Sequence, residues 1–451
     1  MPARKNRLGR PATRREFLHT AGAAAAAAGL APTMAAPFVS TALAESKTLK
    51  ILQWSHFIPQ YDKWIDGFAK DWGKKNGVTV TVDHIPHLEL PARAAAEVSA
   101  GSGHDLFGFN GSGGPHLYAK HLYDMTSLVE EVQKKHGKVL PMGQQIAWNE
   151  ETKTWVAFPD YFMDFPGLYR KDLWDEIGMT PDTWEDIRVG GGKLKKKGNP
   201  VGIGLAHSVD PNNSYNSMLW SAGASICDET GKHVTIDSKQ TLDVVKYVRA
   251  LYKEAMDPEV LSWDDAGNNR FLASGRGSWI HNPISAYRSI QKSNPELADK
   301  IAVWKTPAGS VRRLAAGAPN SYVIWKFAHN KETAVEFLKY YADHYTDAFM
   351  ASTGYDHPLF ENLVKKPMPI FSNDPGSHPP DKLKVLETAD QWCVVFGYPG
   401  PSSPAADEVA DHYIIPDMMA QAATDRMTPE EAVKWAANEI KLIYDKWAKR
   451  A

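Results

Sequence analysis

Few residues of this 451-residue chain stand at spacings that do covalent chemistry. Gly190-Gly191-Gly192-Lys193 begins like a phosphate loop, but Leu194 occupies the place where Ser or Thr must follow the lysine. His84 and His87 flank Pro86 at a strand end, which excludes a helical metal pair, and no H-E-x-x-H occurs. Gly111-Ser112-Gly113 does not fit the G-x-S-x-G nucleophile elbow. Cys227 and Cys393 lack a histidine cluster and make no zinc site, so neither metal nor cofactor is expected. Asp160 and Asp164 invite comparison with the acid/base pair of a carbohydrate-active enzyme such as a glycosidase, whose carboxyls flank a bond at roughly 5–9.5 Å. Their stretch offers binding chemistry instead. Asp160 to Ile187, DYFMDFPGLYRKDLWDEIGMTPDTWEDI, opens with acids and aromatics beside Pro166 and ends in Thr183-x-x-Asp186, an approximate capping box. It reads as the place where the chain leaves one α/β domain, crosses a cleft and enters a second, with a small molecule held between the two.

The elements that would position such a cleft follow in order. Thr48 to Trp54 reads as a strand, residues 60–76 as a helix with Trp64, Ile65, Phe68 and Trp72 at spacings of three and four, and Val78 to Ile85 as an alternating strand. An alanine-rich helix over 89–100 and a strand at Asp105 to Phe109 complete an alternation typical of a mostly parallel sheet. Further strands are expected at 154–159, 201–206, the end of 273–280, 301–304 and 321–325. A loop is expected over His207 to Ser214, a hairpin around Gly231, and helices over 240–256 and from Asn330. Thr428-Pro429-Glu430-Glu431 starts a last helix that runs to about Lys449.

Length favours two domains. A whole-chain charge of −2 carries no nucleic-acid footprint. Most of the 15 Trp, 17 Tyr and 16 Phe belong to a core, with some left for a binding surface. Residues 1–44 read as a signal peptide rather than fold. Arg4, Lys5, Arg7 and Arg10 precede Thr13-Arg14-Arg15-Glu16-Phe17-Leu18, which resembles the twin-arginine export signal, with His19 where a lysine is usual. An alanine-rich run and Ala42-Leu43-Ala44 follow, placing cleavage before Glu45. Cleavage removes six basic residues and one acid, leaving an acidic, soluble periplasmic protein. No later stretch is long and apolar enough to span a membrane. Spacing leaves open whether Cys227 and Cys393 are bridged.

Several segments, in order, resemble the family 1 extracellular solute-binding proteins, the maltose-binding-like receptors of ABC importers. These are LKILQW, GVTVTVDHI and GHDLFGFNGSGG, then GLYRKDLWDEIGMTPDTWEDI, then WSAGASICDETGKHVTIDS, GRGSWIHN and SYVIWKFAHNKETAVEFLKYY. Gly190-Gly191-Gly192 departs from the family's helix and would weaken it by roughly 2–3 kcal/mol, so a break is expected there. The resemblance implies a two-lobed α/β fold. Lobe 1 would comprise 45–163 plus 308–356, and lobe 2 164–307 plus 357–451. It also implies a cleft that closes on ligand and docking to a membrane permease; the protein is expected to be a monomer without catalytic activity.

With that frame, the rule that ligands sit at the carboxyl ends of strands points to a set of loops. Trp54 and His56 follow the first strand, and Phe109, Asn110 and Ser112 the third. Asp160, Tyr161 and Asp164 precede the first crossing, and Asn213 and Tyr215 occupy the loop after residue 206. Asn282 and Tyr287 follow GRGSWI, Asn320 opens a strand near the second crossing, and Phe396 and Tyr398 lie on a late Pro/Gly loop. Aromatic faces against C–H bonds and Asp, Asn and His against hydroxyls suit a mono- or disaccharide or polyol. A phosphorylated polyol, the alternative, requires Lys or Arg in the cleft.

Overall fold

The computed structural model describes residues 47–110, 114–365 and 368–450; Ser112 and the segment over 1–44 expected to be a signal peptide lie outside them. β1 (Lys47–Trp54), α1 (Pro59–Asn76), β2 (Val78–Ile85), α2 (Leu90–Ala100) and β3 (Leu106–Asn110) follow the expected alternation. α1 begins at a proline and stops where Gly77 adopts φ 66°, a left-handed cap that costs a glycine nothing. The chain continues through β4 (Phe158–Met163), β5 (Gly167–Arg170), α3 (Trp184–Lys195) and β6 (Val201–Gly202). Next come α4 (Val209–Ser221), α5 (Lys239–Ala255), β7 (Trp279–His281), α6 (Ser285–Ser293) and β8 (Ile301–Trp304). The remaining longer elements are β9 (Ala315–Ala316), β10 (Ala318–Ile324), α7 (Lys331–Asp343), α8 (Tyr345–Ala351), β11 (His357–Pro358) and β12 (Cys393–Val394), then α9 (Pro404–Asp411), α10 (Ile414–Ala423) and α11 (Pro429–Ala448).

Two helix-flanked sheets organise these elements, giving a two-lobed α/β fold. The first has the order β11-β4-β10-β3-β1-β2 and the second β8-β5-β7-β6. Both are mixed. Parallel pairing holds for β2-β1-β3 and for β6-β7. β10 runs antiparallel to both of its neighbours, β3 and β4, and β11 antiparallel to β4. The chain passes between the sheets from β4 to β5, again from β8 to β10, and once more after β11. A two-stranded ladder, β9 with β12, lies beside these passages.

Several expectations are corrected. Gly190, Gly191 and Gly192 do not break α3. A Cβ on Gly190 would lie 2.4 Å from the Trp174 ring, and one on Gly191 would lie 2.7 Å from Val201, so the missing side chains let the helix pack closely. The capping box at its start is formed, with Thr183 Oγ1 accepting from the Asp186 amide at 3.1 Å. Residues 209–221 are helical, not loop. Every residue from Pro211 to Ser221 in α4 is buried, and a helix enclosed all round shows no amphipathic period. The strand expected over 201–206 shortens to two residues. The hairpin around Gly231 reduces to one bridge, Cys227 with Val234. Asn330 precedes α7 but its amide turns to Thr48 and Asp105 instead of capping. Both cysteines are buried and unpaired.

Candidate ligand cleft

β1, β3 and β4 end at one edge of the first sheet, where β10 begins. Asn320 pairs with Asn110 on one side and Tyr161 on the other, while Ser321 pairs with Phe109 and Pro159. The skipped residue is Asp160. Such a bulge brings two successive side chains to one face. Asp160 and Tyr161 accordingly enter the same buried cluster. Asn320 Nδ2 donates to Asp160 Oδ2 at 2.9 Å, and Trp54 Nε1 donates to the Tyr161 hydroxyl at 2.8 Å. α1, α7 and α8 close over them with Tyr61, Tyr341 and Tyr345. His56 Nε2 donates to Asp356 Oδ1 at 3.1 Å. Burial raises Asp160 well above its ordinary value and outweighs its bonds to Tyr341 and Asn320. Burial likewise raises Asp356, against the pull of His56.

The second lobe meets this edge with acids. His87, just past β2, donates from Nε2 to Asp265 Oδ2 at 2.6 Å, joining the lobes directly. Asp265 Oδ1 also accepts the Asp210 amide in the first turn of α4. Burial would raise Asp265, but the His87 bond and charge hold it below its ordinary value. Asp210 rises through burial and its Asp265 neighbour. Asn268 Nδ2 joins Asp210 Oδ2, at 2.6 Å, to Asn282 Oδ1, at 2.8 Å. Tyr355 bonds Ser285, a second link between the lobes.

A small cavity of about 20 Å³, room for one water, separates Phe109, Pro115, His116, Ile146, Pro319 and Ser321 from Val395, Phe396, Ser402 and Asp407. A larger space of about 330 Å³ opens beside Lys50, Asp105 and His329. It lies at the amino-terminal end of β3, the wrong edge of a parallel sheet for a ligand.

Trp54, His56, Asp160, Tyr161 and Asn320 thus come together, but largely beneath the sheet edge. Asn110 Nδ2 is buried without a partner. Phe109 and Phe396 face each other across the small cavity. Asn213 shares a helix face with Ser217 and Trp220, which touch β9 and Phe396, and neither of its buried side-chain polar atoms has a partner. Asp164 lies 3.6 Å from His357. Asn282 is tied into the asparagine network. Three residues turn elsewhere. Tyr215, on helix rather than loop, carries its hydroxyl into the second lobe's interior near Tyr247. Tyr287 donates to Ser377 at 3.0 Å, and the Tyr398 hydroxyl accepts from Arg312 at 2.7 Å. His87, Asp210, Asp265 and Asp407 are not among the binding residues expected from the sequence. Only folding brings them to the cleft, although Asp210 lies inside the loop expected over His207 to Ser214.

A family model described as bacterial extracellular solute-binding protein matches residues 58–344, more than half of the chain. A probable ABC transporter-binding protein of Deinococcus radiodurans is 23% identical over 329 residues, covering 68% of this chain and 76% of its own. An ABC transporter solute-binding protein of Thermotoga lettingae bound with α-D-tagatose superposes with a TM-score of 0.73 at 21% identity, over 88% of this chain and 100% of its own. Maltose-bound MalE3 of T. maritima gives 0.74 at 20% identity, over 88% and 99%.

Proposed function

The chain belongs to the bacterial extracellular solute-binding proteins, and from that premise we propose that it binds a carbohydrate, a mono- or disaccharide or polyol, between its lobes and delivers it to an ABC permease. One observation carries the reading. Buried polar atoms without partners occur on Asp407, which lines the small cavity with Phe109 and Phe396, on Asn110 next to Phe109 at the sheet edge, and on Asp164 and Asn213, at the first crossing and on α4. Orphaned polar atoms cost about 1–3 kcal/mol each, and hydroxyls of a bound sugar would satisfy them. Tagatose and maltose in the related proteins fit that chemistry. No Lys or Arg lines the small cavity among the described residues, which disfavours a phosphorylated polyol. Asp160 and Asp164 have separate surroundings, the first among tyrosines and the second beside His357, which disfavours a glycosidase pair.

Export through the twin-arginine route and action as a periplasmic monomer belong to the same proposal; no described helix is long and apolar enough to cross a membrane. For the lobe boundaries we favour 47–163 plus 308–365 and 164–307 plus 368–450. β11 pairs with β4, and Phe360 bridges Val139, so the last crossing follows Lys365 instead of preceding His357. Tryptophan fluorescence and thermal shift of the protein from Glu45 onward, titrated with sugars and polyols, test the reading. A saturable fluorescence change with a raised melting temperature is expected. No response to any of them, with retention of a non-carbohydrate from a metabolite mixture, would overturn it.

A further inference from the structure

Resting on the carbohydrate reading above, we propose that Asn110 and Asn320 together recognise one free hydroxyl of the ligand, as acceptor and donor at once, and that Asp160 is the positioning residue behind them. Asn320 on β10 and Asn110 on β3 are directly opposed. Opposed residues of an antiparallel pair project from one face with Cβ atoms about 4.5–5.5 Å apart, so two amides there can reach a common atom. They are also the outermost such pair. β3 ends at Asn110, whereas β10 begins two residues before Asn320, at Ala318, and pairs there with β4 alone. The step left beyond Asn110 lies at the carboxyl edge of β1 and β3, the edge that serves ligands.

Each amide has a buried atom without a partner, and the two are complementary: the donor Nδ2 on Asn110 and the acceptor Oδ1 on Asn320. The orientation of Asn320 is set from its other side, where Nδ2 donates to Asp160 Oδ2 at 2.9 Å. Tyr341 also bonds Asp160, and Tyr61 bonds Tyr341 at 3.1 Å, so the carboxyl is braced from behind. A planar amide tied by its nitrogen to β4 turns its oxygen away from β4, to the side where Asn110 stands. Although its Oδ1 is also without a partner, Asp160 is fully enclosed amid the Tyr61, Tyr322, Tyr341 and Tyr345 hydroxyls, and it acts through Asn320.

Such a pair is selective. One hydroxyl accepts from Asn110 and donates to Asn320, satisfying both. A fluorine, ether or carboxylate oxygen can only accept and an ammonium can only donate, so each leaves one amide atom buried and unpaired. A hydrogen leaves both unpaired. Without Asp160 the Asn320 amide is free to turn over and offer its N–H to a group that only accepts.

Calorimetry on the protein from Glu45 onward tests this. Glucose, galactose, tagatose, maltose and ribitol are titrated, and the tightest is compared with its derivatives carrying hydrogen or fluorine at each hydroxyl in turn. At one position the deoxy compound is expected to bind about a hundredfold more weakly than the parent, and the fluoro compound about tenfold more weakly. In Asp160→Leu the ratio of parent to fluoro compound at that position should fall towards one while the deoxy loss persists. In Asn110→Ala it is the fluoro and deoxy compounds that should converge, at the same position. Loss of packing beneath the sheet would weaken all three compounds alike and move neither ratio. Fluoro compounds bound as tightly as the parent at every position, or ratios unchanged in both variants, would overturn the proposal and leave the carbohydrate reading intact; a water that bridges the amides and is never displaced gives the first of these results. Binding by none of the five overturns both. Should Asp160→Leu fail to fold, Asn110→Ala decides: convergence at one position supports the proposal, and unchanged separation at every position defeats it.

Discussion

Asp164 and His357 lie 3.6 Å apart, too far for a hydrogen bond, in a place where both are buried. Burial pushes Asp164 up to about 8 and His357 down to about 3, so at neutral pH the two are an uncharged pair instead of an ion pair. The consequences for stability have opposite signs. The unfolded chain releases the Asp164 proton near 3.8 and the folded chain keeps it to about 8, so this group's contribution to stability is lost as pH rises. For His357 the unfolded ring takes a proton below 6.5 and the folded ring does not until about 3, so its contribution is lost as pH falls. Between 3.8 and 6.5 the two slopes oppose each other; from 6.5 to 8 only Asp164 acts. Chemical denaturation across that upper window should show the protein losing about 2 kcal/mol more than Asp164→Asn does. Equal slopes in both proteins would mean that Asp164 is ionised in the fold. At this scale the sequence was partly legible. Composition marked Asp160, Tyr161 and Asp164 as unusual acids and aromatics beside a crossing. It could not show that a bulge sends the first two beneath the sheet, because a bulge is a property of two strands together.

The secondary-structure elements were legible wherever one face meets water. α1, β2, α5 and α11 carry their period in the sequence because each has an exposed side, and their observed limits lie within a residue or so of those expected. α4 and α3 were misread for physical reasons. α4 is surrounded, so its asparagines and serines other than Asn213 are spent on buried bonds, such as Asn212 Nδ2 to the Ala410 carbonyl at 2.8 Å, and no pattern remains. In α3 the glycines carry the packing, and propensity alone points the wrong way. This can be separated experimentally, since the three glycines differ. Gly192 has no heavy atom closer than 3.5 Å to the position of a Cβ, so Gly192→Ala should stabilise the protein by up to about 1 kcal/mol through helix propensity. Gly190→Ala should destabilise it by roughly 1–3 kcal/mol, because the new methyl meets Trp174, whose indole is itself anchored by Nε1 to the Ser278 carbonyl at 3.0 Å. Melting temperatures of the two variants check the contrast. Loss of stability in both would show that α3 tolerates no side chain at either position.

For the whole molecule, the question is what holds two lobes together around a cleft. The chain crossings set the hinge, but the far side of the cleft is joined by side chains. His87 and Asp265 are separated by 178 positions, each follows a different sheet, and no sequence pattern links them. Their bond is nevertheless well placed for a clasp. Asp265 is buried and His87 half-buried, the Trp54 and Phe57 rings pack edge-on against the imidazole, and Asp265 is braced by the Asp210 amide, so the carboxylate is oriented independently of His87. A hydrogen bond to a charged group contributes about 1.5–3 kcal/mol, and a bond formed only on closure adds that amount to the closed state. His87→Ala should therefore speed release of whichever sugar the titrations identify by about tenfold or more, read by stopped-flow tryptophan fluorescence. Leu88→Ala, at an exposed neighbour with no part in the bond, should leave release unchanged. Single effects alone would not separate a clasp from loss of packing around the imidazole, so the double variant with Asp265→Ala matters. If the pair acts as a clasp, the two substitutions together should cost little more than either one. Strictly additive effects would place the closing force elsewhere, with Tyr355 and Ser285 the next pair to test.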